Sequence, residues 1–305
     1  MRKIPVGATI AHAYHFAFAD FLTVFKAIWL PLAAYAALSI PMMGRMMQLM
    51  ASLGARDPAA LSAIGPLFLL YPFLLILIFM QFLAVSEAAL GVRPNDSWFY
   101  FPLGKKLWRL IGGVLLALLA IIALMLCYAL IAFVLGFVLN TVLKSFVSAA
   151  MATGLTGVFA ALLFLVAYGV LIFLTIRFFF LLAPASIVEQ RLGVGRSWQL
   201  TRGNFWRAFL VTLSIVLPLV VIEYAAIFSF AGFPAITPGM SPQAVQAANL
   251  AWNIALFSAI VRYWYIIVPA VTVVLVLYFG AACGAQAFAY RALTEDEAAA
   301  AVAFD

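Results

Sequence analysis

The chain has 305 residues, of which 68% are hydrophobic and only 9% charged, with a formal net charge of +7. A soluble domain carries about 25% charged residues, so this composition, with its mean hydropathy of +1.18, excludes an ordinary soluble enzyme and points to the membrane. The positive balance does not require nucleic acid, because basic loops that face the cytoplasm and anionic headgroups give the same excess.

Residues 5–20 are expected to form an amphipathic helix. Ile10, Ala13, Tyr14, Ala17 and Phe21 recur at helical spacing, while Thr9, His12 and His15 gather toward the opposite face. Such a helix lies along the headgroups rather than crossing the bilayer. His12 and His15, with Asp20 nearby, make one pair without a further ligand, so they are read as interfacial side chains rather than a metal site. The first span follows over about 21–43. It starts too late and runs too long for a cleaved signal peptide, so it is read as retained. Met42, Met43, Met46, Met47 and Met50 cluster at its end. Thioethers suit Cu(I), but they also fill irregular apolar gaps, and packing is the reading adopted.

Five more spans follow over about 66–90, 107–139, 155–183, 208–231 and 263–283. The third is longer than a crossing needs, so it tilts or extends past the bilayer. Further interfacial segments are placed over about 94–106 and 193–206. Between spans five and six, the turn-rich stretch from Phe233 to Asn249 leads into a short amphipathic helix from Ala244 onward. In the tail, Thr294 and Glu297 have the spacing of an N-cap and its N3 partner for a separate short helix. Cys127 and Cys283 sit in apolar runs at no metal or redox spacing and are read as packing residues. The fold class is therefore an all-α membrane protein of six transmembrane helices, with the whole chain as a single multi-pass domain.

Of the 17 Lys and Arg, this topology leaves Arg45, Arg56, Lys144 and Arg262 on one side and the rest on the other. The positive-inside rule then places both termini in the cytoplasm. Charges within spans are costly and mark candidate sites. Glu223 in span five and Arg262 at the start of span six are a candidate intramembrane pair. They are read either as a structural ion pair or as a polar site for a substrate or proton. Arg177 could meet Glu87 or Glu189 at the inner end. Pro31, Pro72, Pro184, Pro218 and Pro269 punctuate the spans or their ends. Kinked helices occur in transporters, though packed membrane helices tolerate proline without transport.

Two stretches echo one another. Glu87-Ala-Ala-Leu-Gly-Val92 and Glu189-Gln-Arg-Leu-Gly-Val194 both read E-x-x-L-G-V. Each continues to a Ser-Trp pair, Ser97-Trp98 and Ser197-Trp198, and then to a Trp-Arg pair, Trp108-Arg109 and Trp206-Arg207. This suggests three repeats of an interfacial helix plus a helical hairpin. Arg196, Arg202 and Arg207, with Lys105, Lys106 and Arg109, stand beside the tryptophans and are the candidate contacts for lipid phosphate. The run from Leu181 to Arg207, with its Pro, Glu, Ser-Trp, Leu-Thr-Arg-Gly and aromatic-Arg, resembles a broad group of bacterial multi-pass proteins. That group includes the membrane domain attached to some glycerophosphoryl diester phosphodiesterases and the YciC-type inner-membrane proteins. The resemblance implies a bacterial inner-membrane location and a six-helix fold. It implies no phosphodiesterase activity, which belongs to a separate soluble domain.

No P-loop, His-Glu-x-x-His, Gly-x-Ser-x-Gly or dinucleotide fingerprint is present in the sequence. The function expected is a non-enzymatic module without a cofactor. It would bind anionic lipid headgroups, or scaffold a membrane-protein partner, and it would not bind nucleic acid. A small-molecule or lipid transporter is the alternative, and an intramembrane enzyme comes third.

Overall fold

The structure is a computed structural model of the chain and describes residues 2–54, 64–93, 97–237 and 239–302. The described residues form α-helices and no strands. In chain order these are α1 (Val6–Ala19), α2 (Phe21–Gly54), α3 (Ile64–Ala89), α4 (Lys105–Leu143), α5 (Ala149–Phe179), α6 (Leu182–Val188), α7 (Val194–Leu200), α8 (Phe205–Ala231), α9 (Pro242–Arg262) and α10 (Trp264–Val302). Among the described residues, seven helical stretches are long and apolar enough to cross a membrane. Six of them match the spans expected from sequence. The seventh is α9, which grows to 21 residues where the sequence suggests a short helix. Ser241 starts it early, its side chain accepting from the Ala244 N–H at 3.2 Å, with Pro242 in the first turn.

The chain divides into two compact units. The first comprises the described residues of Pro5–Leu107 and Leu210–Ala289. Its core joins Val24, Ala27 and Ile28 of α2 to Ala84 and Val85 of α3, and to Val276, Phe279 and Cys283 of α10. Helix α1 packs closely on α10, where Gly280-Ala-Ala-Cys-Gly284 repeats a small residue every fourth position. A Cβ at Gly280 would stand 2.9 Å from the Ala17 Cα, and one at Gly284 would stand 3.1 Å from the Phe16 ring. Backbones approach this closely only across small residues. The buried stripe of α1 is accordingly Thr9, Ala13 and Ala17. Thr9 therefore does not face outward with the histidines. It is fully buried, and its hydroxyl donates to the Pro5 carbonyl at 2.8 Å.

The second unit comprises the described residues of Met1–Ile4, Trp108–Phe209 and Tyr290–Asp305. Leu181, Leu182, Ala183 and Ala185 form much of its interior, with Ala208. Helix α4 leans on the elbow after α6 at Gly113, where an added Cβ would meet the Leu192 carbonyl at 2.3 Å.

Helix α4 runs for 39 residues, about 58 Å at 1.5 Å per residue, against a hydrocarbon core of about 30 Å. The excess expected for span three is therefore real. Helix α10 also runs for 39 residues and absorbs the tail. Thr294 is not an N-cap: it lies within the helix, and its hydroxyl donates to the Tyr290 carbonyl at 2.9 Å. No Gly or Pro occurs between Gly284 and Val302, so nothing in that stretch stops the helix. Residues 97–104 are not helical, although the sequence placed an interfacial helix over 94–106. Pro102 and Gly104 disfavour one, and residues 94–96 lie outside the described residues.

Candidate functional site

The strongest site lies in the second unit, where the chain turns between α5 and α8. Helix α5 ends at Phe179 and α6 begins at Leu182. Pro184 falls in the first turn of α6, where its missing N–H is no loss. The break leaves backbone groups to be satisfied, and α7 supplies them. The hydroxyl of buried Ser197 donates to the Arg177 carbonyl at 3.1 Å and accepts from the Leu181 N–H at 3.3 Å. Thr201, also buried, donates to the Ser197 carbonyl at 2.7 Å and reaches the Arg177 carbonyl at 3.3 Å. Buried polar backbone is costly when unpaired, so these two hydroxyls staple α7 to the end of α5.

Two residues with positive φ set the direction of the elbow: Gln190 at 55° and Gly193 at 74°. At Gly193 a Cβ would also stand 2.8 Å from the Leu182 carbonyl, so glycine is required twice over. Past α7, Gly203 takes φ 76° and turns the chain into α8.

This turn captures the N-terminal segment. Asn204, 2% exposed, accepts from the Ile4 N–H at 3.1 Å and donates to the Arg2 carbonyl at 3.0 Å. Arg207 donates to the Ile4 carbonyl at 2.9 Å. The result is a cleft of ≈ 180 Å³ lined by Arg2, Arg196, Gln199, Leu200, Arg202, Asn204 and Leu293. Its described lining holds three guanidinium groups and no carboxylate. Just outside the lining, Glu189 accepts from Arg196 Nε at 2.7 Å and from the Tyr290 hydroxyl at 3.1 Å. Arg177, 7% exposed, lies with its guanidinium 4.2 Å from the centroid of the Trp198 ring. Of the two glutamates the sequence offers it, Glu87 or Glu189, the one in this unit, Glu189, is taken by Arg196.

The first unit holds a comparable cluster. Glu87, 1% exposed, accepts from Lys106 Nζ at 2.6 Å and from the Tyr100 hydroxyl. The Arg93 guanidinium lies 5.0 Å from the Tyr100 ring centroid and donates to the Ser97 carbonyl at 2.7 Å. Lys26 lies 5.3 Å from the Trp98 ring centroid. Burial raises the pKa of Tyr100 above its ordinary value, and the hydrogen bond to Glu87 and the charge of Glu87 push the same way.

The sequence candidates separate accordingly. Arg196 and Arg202 come together in the cleft. Arg207 instead pins the N-terminal segment, and Lys106 is committed to Glu87. Lys105 is exposed, and Arg109 half-buried, in the first turns of α4. Glu223 and Arg262 are both exposed and form no ion pair with one another; Arg262 lies instead 5.5 Å from the Tyr263 ring centroid. His12 stacks on Phe288 at 4.2 Å. Among the described residues no group of three His, Cys, Asp or Glu is placed to hold a metal ion. Met42 is buried; the side chains of Met43, Met46, Met47 and Met50 lie outside the described residues.

The sequence alone does not point to Arg2, Gln199 or Asn204 as partners in one cleft. Arg2 registers there only as a terminal charge, and it reaches the cleft across roughly 200 residues of chain. Asn204 had a signal, because an Asn after Gly in a turn so often bonds backbone.

Taken together, the helices define an all-α, multi-pass membrane protein. The chain matches no protein-family model, no curated protein and no solved structure.

Proposed function

We propose that the protein is a non-enzymatic module of a bacterial inner membrane that binds anionic lipid headgroups through a cytoplasmic belt of Trp and Arg. The observation that carries this reading is the matched start of two long apolar helices. Trp108 and Trp206 are 58% and 71% exposed in the first turns of α4 and α8, and each is followed at once by an arginine. Indole rings settle at the headgroup level, and the Arg109 guanidinium beside Trp108 is placed to reach phosphate, while Arg207 beside Trp206 holds the Ile4 carbonyl. The resemblance of residues 181–207 to inner-membrane proteins of the phosphodiesterase-associated and YciC types agrees with this location.

An internal duplication is part of the proposal. Gly91 and Gly193 occupy the same place in the two E-x-x-L-G-V stretches, and their φ values are 67° and 74°. Glu87 and Glu189 each accept from a basic residue and a tyrosine. Trp98 and Trp198 each lie beneath a cation. Shared backbone conformation and shared bonding are what duplicated units would keep.

In this reading both termini are cytoplasmic and the chain makes six crossings. Helix α9 has the length of a seventh, but its surroundings favour an in-plane helix. Trp252, near its middle, donates to the Gly232 carbonyl at 2.8 Å, which sets the middle of α9, and not its start, against the chain just past the end of α8. Only Tyr263 separates α9 from α10, whereas antiparallel helices need a loop of about 2–5 residues. Gln243, Gln246, Asn249 and Asn253 recur at helical spacing and give α9 a polar face.

The test is native mass spectrometry of the protein released with its bound lipids. Wild type is expected to retain anionic phospholipid, and a Trp108→Ala, Trp206→Ala, Arg109→Gln variant to retain several-fold less at unchanged folding. Equal retention by the two proteins sinks the belt.

A further inference from the structure

We propose that the cleft lined by Arg2, Arg196, Arg202, Gln199 and Asn204 is a discrete phosphate-binding site, assembled when the N-terminal segment docks onto the turn before α8. The cleft gathers three guanidinium groups, of which Arg196 is also paired with Glu189, and the means by which the chain holds them is specific. Arg2 would belong to a loose terminal segment were the Arg2 carbonyl and the Ile4 N–H not both bound by buried Asn204, and the Ile4 carbonyl by Arg207. Arg196 is oriented through its Nε by Glu189, which sets the plane of that guanidinium. Arg202 enters from the Thr201–Asn204 turn, whose direction Gly203 sets.

The chemistry of the lining selects the ligand. Guanidinium forks match the oxygens of phosphate and bind them in pairs. A tetrahedral anion has enough acceptors for several arginines at once, which a planar carboxylate with two oxygens does not. Gln199 adds amide donors suited to an ester oxygen or hydroxyl beside the phosphate. The cleft volume of ≈ 180 Å³ is well above the roughly 10–15 Å³ that holds one water, so a phosphate group fits. Its source is either a lipid headgroup or a free phosphate compound. The site rests on the belt reading only for that choice.

The experiment is arginine footprinting by phenylglyoxal and mass spectrometry on the full chain in nanodiscs. One arm uses phosphatidylcholine discs titrated with inorganic phosphate and with glycerol 3-phosphate. The other adds phosphatidic acid to the discs without soluble phosphate. Protection of Arg202 in the first arm identifies a soluble ligand, and protection in the second alone identifies a headgroup. In either case Arg2→Gln, made at an exposed side chain and compared at equal thermal midpoint, is expected to raise the phosphate or phosphatidic acid needed for protection about tenfold. No protection in either arm, or protection unchanged by Arg2→Gln, overturns the site. Retained anionic lipid with Arg202 unprotected overturns the cleft and leaves the belt standing. Protection by inorganic phosphate without lipid retention preserves the cleft and removes the belt.

Discussion

At the residue scale, the motif from Ser197 to Arg207 can be read almost position by position. Ser197 and Thr201 satisfy the backbone opened by the end of α5, Trp198 covers Arg177, Gly203 turns the chain, and Asn204 and Arg207 hold the N-terminal segment. Ser197→Ala removes an acceptor from the buried Leu181 N–H and is expected to cost about 1–3 kcal/mol. The check is a lowered thermal midpoint in detergent, with Ser197→Thr losing less where its hydroxyl keeps the same bonds. Tyr100 gives a second prediction. Its hydroxyl keeps its proton in the folded chain at a pH where an unfolded tyrosine, with a pKa of 10.0, gives it up. The folded value is the higher one, so this contribution is whole below about pH 10 and is lost as the pH rises above it. Wild type is expected to lose thermal stability from about pH 10 upward more steeply than Tyr100→Phe. Parallel curves for the two proteins would show that Tyr100 contributes nothing.

At the element scale, the contact between α1 and α10 depends on having no side chain where the backbones meet. Gly280→Val places a branched group where even a Cβ would be 2.9 Å from Ala17. Overpacking of this kind costs about 1–3 kcal/mol, and here it should be relieved by lifting α1. Hydrogen exchange resolved by peptide is expected to rise over residues 6–19 while α3 stays protected; unchanged exchange over α1 counts against the contact. The length of α1 was legible from sequence, because its apolar positions recur at helical spacing. Its buried face was not. A periodic pattern ranks positions by hydrophobicity, but a close helix crossing ranks them by size, so Thr9 goes inward and Ile10 only partly. The fate of Thr294 has a similar cause. A capping pattern starts a helix only where the preceding chain is not already helical, and α10 arrives there unbroken.

At the scale of the whole molecule, whether α9 crosses decides the sidedness of everything that follows it in the chain. If α9 lies in the plane of the outer surface, its two ends face the same side; if it crosses, they face opposite sides. Single cysteines at Ser241 and Tyr263, placed in a Cys127→Ala background, are expected to react alike with an impermeant maleimide added from outside. Labelling of one and not the other would make α9 a seventh crossing. Cys283 is 1% exposed and should not confuse the readout. The sequence by itself determined that this is an all-helical membrane chain and where six long helices lie. Burial in lipid requires unbroken apolar runs with internally paired backbone, and such runs are visible one residue after another. It also marked residues 181–207 as unusual. The tertiary structure decided which charges meet. Arg2 joins Arg196 and Arg202, Arg207 is spent on the backbone of Ile4, Lys106 is held by Glu87, and Glu223 stays apart from Arg262. Pairing of charges is a matter of a few ångströms between segments far apart in the chain, and neither composition nor periodicity carries that distance.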